Sequence, residues 1–236
     1  MRLVVLGARG GVGRRAVRAA VDRGHDVVAA ARGPQAPPDP ADPTDPVGAL
    51  GARGRVVPVE LDVRDAAAVR RALEGADAAL WCVGVTPRSG GDVGRSALPH
   101  VLTALRELGV PRLVTVSGAG VAVPGERKGP GARLVSAAAR RFGGDLVRDK
   151  EGEHALLAAT GGELSWTEVR PPRLREADAT GSWVLSERAP GLTARAVAKG
   201  DVAEALVHLA TSREQDRRSP FLLAGTGGPD GPRRQR

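Results

Sequence analysis

Short apolar runs alternate along this chain with stretches in which apolar residues recur every third or fourth position. Leu3–Leu6, His25–Ala31, Arg55–Leu61, Ala76–Val83, Pro111–Ser117 and Leu164–Val169 are runs dominated by Val, Leu and Ala. With no regular polar alternation, they predict strands buried on both faces, as in a parallel sheet. Val12, Ala16, Val17, Ala20 and Val21 fall at helical spacing, with Arg14, Arg15 and Arg18 between them and Gly24 as a stop. Further helices are predicted over 64–73, over 95–108, in a stretch ending near Thr160, and over 202–211, where Asp201 is the expected cap. Strand and helix in alternation predict an α/β fold with a doubly wound, mainly parallel sheet. A short strand near Ser182–Leu185 falls within 173–198, which reads as a small cap, and Pro220–Ala224 is a last strand. Residues 33–54 and 121–133 are too rich in Pro and Gly for regular elements, and the Gly, Pro and Arg of 225–236 predict a disordered tail. The expectation is a single domain over 1–224.

Apolar residues make up 42% of the 236-residue chain and aromatics only 2%, so the core must be built from Ala, Val and Leu. Tyr, Ile and Asn are absent, Lys is rare and Arg abundant, the pattern of a GC-rich coding background. That background changes the meaning of the net charge of +8. The arginines are scattered and no aromatic platform accompanies them, which argues against a nucleic-acid partner. They read as a solvated surface around a site for an anionic cofactor. Cys82 is the only cysteine; it falls in a predicted strand and reads as a buried, inert thiol. No apolar run approaches the ~18 residues of a membrane span, and the chain enters a strand at once, with no signal segment. The expectation is a cytoplasmic protein with a small-molecule substrate and neither a nucleic-acid nor a membrane partner. Nothing in the sequence specifies an oligomeric state.

The candidate chemistry concentrates in Gly7, Gly10 and Gly13, between the first strand and the first helix. In a dinucleotide site, Gly7 permits the tight turn, Gly10 lets the pyrophosphate approach the backbone, and Gly13 lets the helix close on the strand. The N–H groups around Gly11 and Val12 then face the phosphates. Cofactor choice is set about 20 residues further on, where an acid marks NAD. The residue here is Arg32, and Arg9 in the loop is a second cation. A guanidinium matches a phosphate, so NADP(H) is preferred over NAD(H).

The spacing G-x-x-G-x-x-G resembles that of the extended and atypical short-chain dehydrogenases/reductases, especially the small NmrA-like and biliverdin-reductase-B-like NAD(P)H-binding proteins. Leu61-Asp62-Val63, Val83-Gly84, Val116-Ser117-Gly118, the stretch Trp166–Pro171 and Asp201-Val202-Ala203 fit the same family in order. The resemblance implies a Rossmann fold in which Asp62 and Val63 contact the adenine, and Val83 and Gly84 lie against the cofactor. It also implies that Arg170-Pro171 closes over the nicotinamide end. Asp62 or Asp65 would equally serve to cap the next helix.

Catalytic candidates are Ser117, Lys150 and His154. By resemblance, Ser117 polarises the substrate and Lys150 binds the nicotinamide ribose, unless it pairs with Glu153 or His154 on one helix face. His154 shares that face and could relay a proton. The family's Tyr-x-x-x-Lys is incomplete, because the chain has no tyrosine. The implied function is NADPH-dependent hydride transfer to a small carbonyl, quinone or flavin-like acceptor without a catalytic tyrosine. A non-catalytic NADP(H)-binding regulator is the alternative. A sugar-nucleotide epimerase or dehydratase ranks below both, since that chemistry relies on the tyrosine.

Overall fold

A computed structural model of the chain describes residues 1–33, 53–87, 89–124, 143–191 and 193–225, with Glu126, Gly129, Ala137 and Arg141. Most of the predicted 33–54 loop, much of the 121–133 loop with the start of the helix after it, and the 226–236 tail lie outside the described residues. The elements in order are β1 (Arg2–Leu6), α1 (Gly13–Asp22), β2 (Asp26–Ala31), β3 (Val56–Glu60), α2 (Ala66–Leu73), β4 (Ala78–Trp81), α3 (Val93–Glu107) and β5 (Arg112–Val116). They continue with α4 (Gly144–Ala158), β6 (Ser165–Val169), β7 (Leu174–Arg175), β8 (Trp183–Ser186), β9 (Val197–Ala198), α5 (Lys199–Thr211) and β10 (Phe221–Ala224). Among the described residues, no helix is long and apolar enough to cross a membrane.

The first six strands form one parallel sheet in the order β3-β2-β1-β4-β5-β6. The chain works outward from β1 to β3, returns, and continues from β4 on the other side of β1. Successive side chains of a strand point to opposite faces. Leu3 and Val5 therefore enter the core under α1 and α5, while Val4 and Leu6 enter the one under α2 and α3. Helices cover both faces, which is why the strand sequences lack polar alternation. Pro58 falls in β3, at the sheet edge, where a missing N–H is tolerated. β4 stops at Trp81, so Cys82 and Val83 lie past the strand and not inside it as the apolar run predicts.

The 173–198 segment contributes to two small pairings, β8 antiparallel to β10 and β7 parallel to β9. Two-residue strands carry no readable periodicity. Trp183 is buried and edge-on to His208, with ring centroids 5.8 Å apart, and so belongs to the core. Asp201 does not cap α5, which begins two residues earlier. Its carboxylate instead accepts the Thr180 N–H (2.7 Å), the Thr180 hydroxyl (2.7 Å) and the Gly181 N–H (3.0 Å), fastening the cap segment to α5.

A second carboxylate joins α3 to α4. Asp92 precedes α3 but makes no side-chain cap. The fully buried Asp149 of α4 accepts the Gly94 and Arg95 N–H groups, both at 2.9 Å, and so caps α3 from a neighbouring helix. Gly94 makes this possible: a Cβ there would lie 1.9 Å from Glu153 Oε1 and 2.7 Å from Asp149 Oδ2. Asp149→Ala leaves a buried and a partly buried donor without partners. It should lower unfolding free energy by about 2 kcal/mol or more, seen as a lower urea midpoint at an unchanged m-value.

Candidate functional site

The glycine turn leaves β1 with no room for side chains. Gly7 has φ +87°, and a Cβ on it would sit 2.9 Å from the Cys82 carbonyl; one on Gly13 would sit 2.2 Å from the Gly7 oxygen. The Gly7 and Ala8 N–H groups both donate to the Ala30 carbonyl, at 2.9 and 3.0 Å, which moors the turn to β2. Gly10 closes it by donating to the Gly7 oxygen at 2.9 Å. The N–H groups of Gly11, Val12 and Gly13 donate to no acceptor among the described residues. Free amides at the start of a helix, with the helix dipole behind them, are the chemistry that suits an anion.

Gly7, Arg9 and Gly10 of the turn line a cavity of about 730 Å³ at the C-terminal edge of the sheet, where the strand order reverses. That is where ligands bind in such sheets. Gly7 and Gly10 form one wall, Ala30 to Gly33 a second, and Cys82, Val83 and Gly84 a third. Arg9 and Arg32 both line it, with the Arg9 guanidinium 3.4 Å from the Arg32 carbonyl oxygen; none of the lining residues is acidic. A Cβ on Gly84 would meet nothing within 4 Å, so on that side the backbone lies open to the cavity. Val63 lines the cavity but Asp62 does not: its exposed carboxylate accepts the Arg64 N–H at 3.0 Å. Asp65 is the α2 cap, accepting the Ala68 N–H at 3.0 Å.

Sequence separation hides two further parts of the site. Ser89, on the cavity wall, holds the loop after β4 by accepting the Thr86 N–H at 2.7 Å. Lys199, at the start of α5, lays its side chain over Gly11; its Nζ is 2.7 Å from where a Cβ would be. It pairs with Glu176, which also meets Arg15 at 3.3 Å. The Lys199 hydrogen bond, with Arg15 and Arg14 nearby, holds the Glu176 carboxyl below its usual range.

Two of the three catalytic candidates, Lys150 and His154, turn to different partners. Lys150 is buried, and its Nζ donates to the Val83 carbonyl at 2.8 Å and to both Glu153 oxygens at 2.9 Å. Burial pushes the Glu153 carboxyl up, while Lys150 and the Trp81 indole oppose it. Lys150 thus supports the cavity wall from behind. His154 turns away from Lys150, toward β6, where its Nδ1 meets Glu168 Oε2 at 2.7 Å. The helix face expected to present both residues to one ligand is therefore split. Ser117 follows β5; its Oγ is buried and has no hydrogen-bond partner. Arg170 does not reach the glycine-turn cavity either. It is bound bidentate by Glu126 at 2.7 and 3.1 Å and stacks on Phe221 at 4.0 Å, while the Pro171 carbonyl accepts the Ala119 N–H at 2.9 Å.

A glycine turn with free amides at the switch point of a parallel sheet defines a nucleotide-binding α/β protein of Rossmann type. The chain belongs to the NAD(P)H-binding family, whose model matches residues 7–213. Among solved structures it is similar to a candidate NAD-dependent epimerase/dehydratase from Bacillus halodurans, at 23% identity and TM-score 0.71, covering 95% of this chain and 94% of that one. It is also similar to a candidate NADH-flavin reductase from Streptococcus pneumoniae, at 21% identity and TM-score 0.69 over 95% and 99% of the two chains. An anaerobillin reductase from Escherichia coli aligns at 22% identity and TM-score 0.67 over 97% and 100%. At these identities the likeness is one of fold. No curated protein matches the sequence.

Cys82 lines the cavity, yet burial pushes its thiol up to about 12, with only Lys150 opposing. At pH 8 about one such thiol in ten thousand is ionised, and only the thiolate reacts. Iodoacetamide at pH 8 should label the folded protein orders of magnitude more slowly than the urea-unfolded chain, as followed by intact mass. Equal rates would show that the thiol is not desolvated.

Proposed function

We propose that the chain is an NADPH-dependent reductase acting on a small quinone, flavin-like or carbonyl acceptor. One observation carries the reading: the turn with three unpartnered amides lines, through Gly7 and Gly10, a cavity whose walls hold Arg9 and Arg32 and no acid. The turn from Gly7 to Gly13 would hold the pyrophosphate. The two guanidiniums suit the ribose 2′-phosphate, a group that only the phosphorylated cofactor has. Val63 would flank the adenine, and Val83 and Gly84 the nicotinamide ribose. NADPH, when bound, supplies the hydride. Residues 1–224 act as one domain, with 173–198 as the cap over the acceptor.

The residues themselves then narrow the acceptor. Ser117 places a hydroxyl just past β5, beside β4, with no protein partner for its Oγ. It would donate to the acceptor oxygen as charge develops there. Lys150 acts as a positioning residue that fixes the Val83 carbonyl. Neither a tyrosine nor His154 stands ready to protonate an alkoxide, so acceptors that delocalise their charge fit best. Reductases of flavin and of anaerobillin among the structures of the same fold agree with this choice. The same shortage of a proton donor favours the second reading, an NADP(H)-binding regulator without turnover.

Two measurements separate these readings. Calorimetry should show NADPH binding tighter than NADH by about tenfold or more, with Arg32→Ala removing most of the difference; equal affinities in the unaltered protein would sink the cofactor choice. NADPH oxidation should be detectable with quinones or flavins. Ser117→Ala should then slow ketone turnover by about 10²-fold, delocalised acceptors less, and leave NADPH affinity nearly unchanged. A protein inert with every acceptor is the regulator.

A further inference from the structure

A second cavity, of about 990 Å³, lies along the outer side of β6 and shares no lining residue with the first. Its wall carries a histidine held in one orientation. His154 and Glu168 are both nearly inaccessible, at 5% and 0% exposure. Glu168 Oε2 meets His154 Nδ1 at 2.7 Å and also accepts the Ser219 hydroxyl at 2.9 Å. Trp166 packs edge-on to the imidazole, with centroids 6.3 Å apart. A carboxylate can only accept, so Nδ1 carries the proton and Nε2 is left for a ligand. As imidazole, Nε2 accepts a ligand hydroxyl or N–H; as imidazolium, it donates to a ligand oxygen.

The cavity is also short of negative charge. Four arginines line it. Arg170 is matched by Glu126 and Arg218 by Glu187. Arg188 and Arg217 ion-pair with no carboxylate among the described residues; Arg217 donates only to the Thr160 and Gly161 carbonyls, which leave its charge uncompensated. The backbone here is held under strain as well. Gln215 (φ 56°) and Arg217 (φ 52°) are the only described non-glycine residues with positive φ, and both line this cavity. Such conformations persist where surrounding contacts enforce them, and they gather at ligand sites. Here Thr167 Oγ1 holds the Gln215 carbonyl at 2.8 Å, and the Trp166 carbonyl accepts the Arg217 N–H at 2.6 Å.

We propose that this cavity binds a small organic anion, a carboxylate or phosphate ester, gripped by Arg188 and Arg217 and hydrogen-bonded by His154 Nε2. The proposal is independent of what the first cavity holds. It is tested on the full-length protein by imidazole ¹⁵N–¹H NMR during titration with sodium phosphate or sodium malonate, against sodium chloride at equal ionic strength. The His154 signal is assigned by its disappearance in His154→Gln. A saturable shift at His154 is expected with one or both anions and none with chloride; phosphate alone or malonate alone names the preferred head group. Arg188→Gln, at an exposed position, should weaken the response by about tenfold. A shift that tracks ionic strength alone overturns the proposal. So does a midpoint left unchanged in both Arg188→Gln and Arg217→Gln.

Discussion

The closeness of the glycine turn to the end of β4 is the constraint on which the rest of the structure depends. Gly7 packs against the Cys82 carbonyl at a separation no Cβ would survive, and Gly13 packs against Gly7 in the same way. Adjacent strands of a sheet lie about 4.8 Å apart. A turn that must cross from β1 to α1 over that gap can carry no side chain toward its neighbour. The turn leaves three amides without a protein acceptor near the place where the sheet reverses its order. Side chains added at these points would collide with the backbone of Cys82 and Gly7 and push α1 off the sheet.

On the opposite face, buried charge substitutes for apolar packing. α4 brings Asp149, Lys150 and Glu153 against α3 and β4, and all three are nearly inaccessible to water. Buried ions are stable only as a satisfied set. Asp149 is met by the amides at the start of α3 and by the Arg95 guanidinium at 3.7 Å, and Lys150 by Glu153 and the Val83 carbonyl. Gly94 is the space into which this set fits. The shape of the cavity wall at Val83 is thereby tied to a helix whose surface never touches the cavity.

The sequence made the architecture plain because its strands are buried on both faces and its helices on one, and these patterns differ in period. The six runs from Leu3 to Val169 became β1 to β6, and the glycine spacing pointed to the free amides of Gly11 to Gly13. What stayed hidden had no local signal. β7 and β9 are two residues each, and their pairing joins positions more than twenty residues apart. Lys150 and His154 stand four apart on one helix, which by spacing alone makes them neighbours. The partners that separate them, Glu153 and Glu168, include one on another strand. Asp149 and Asp201 read as ordinary helix acids or caps, but their acceptor oxygens serve amides 54 or 55 and 20 or 21 residues away. Arg170 matched a familiar motif, whereas its partly buried partner Glu126 carried no pattern.

Lys199 and Arg15 show how the cap and the turn share resources. Both grip Glu176, which extends from the cap segment, and both stand beside the turn: Lys199 over Gly11, and Arg15 with its guanidinium on the Gly11 carbonyl at 2.8 Å. An anion drawn to the free amides enters the field of the cations that fasten the cap. If the turn binds an anion, its affinity and the hold of the cap on α1 would be linked, and linkage would make that coupling reciprocal.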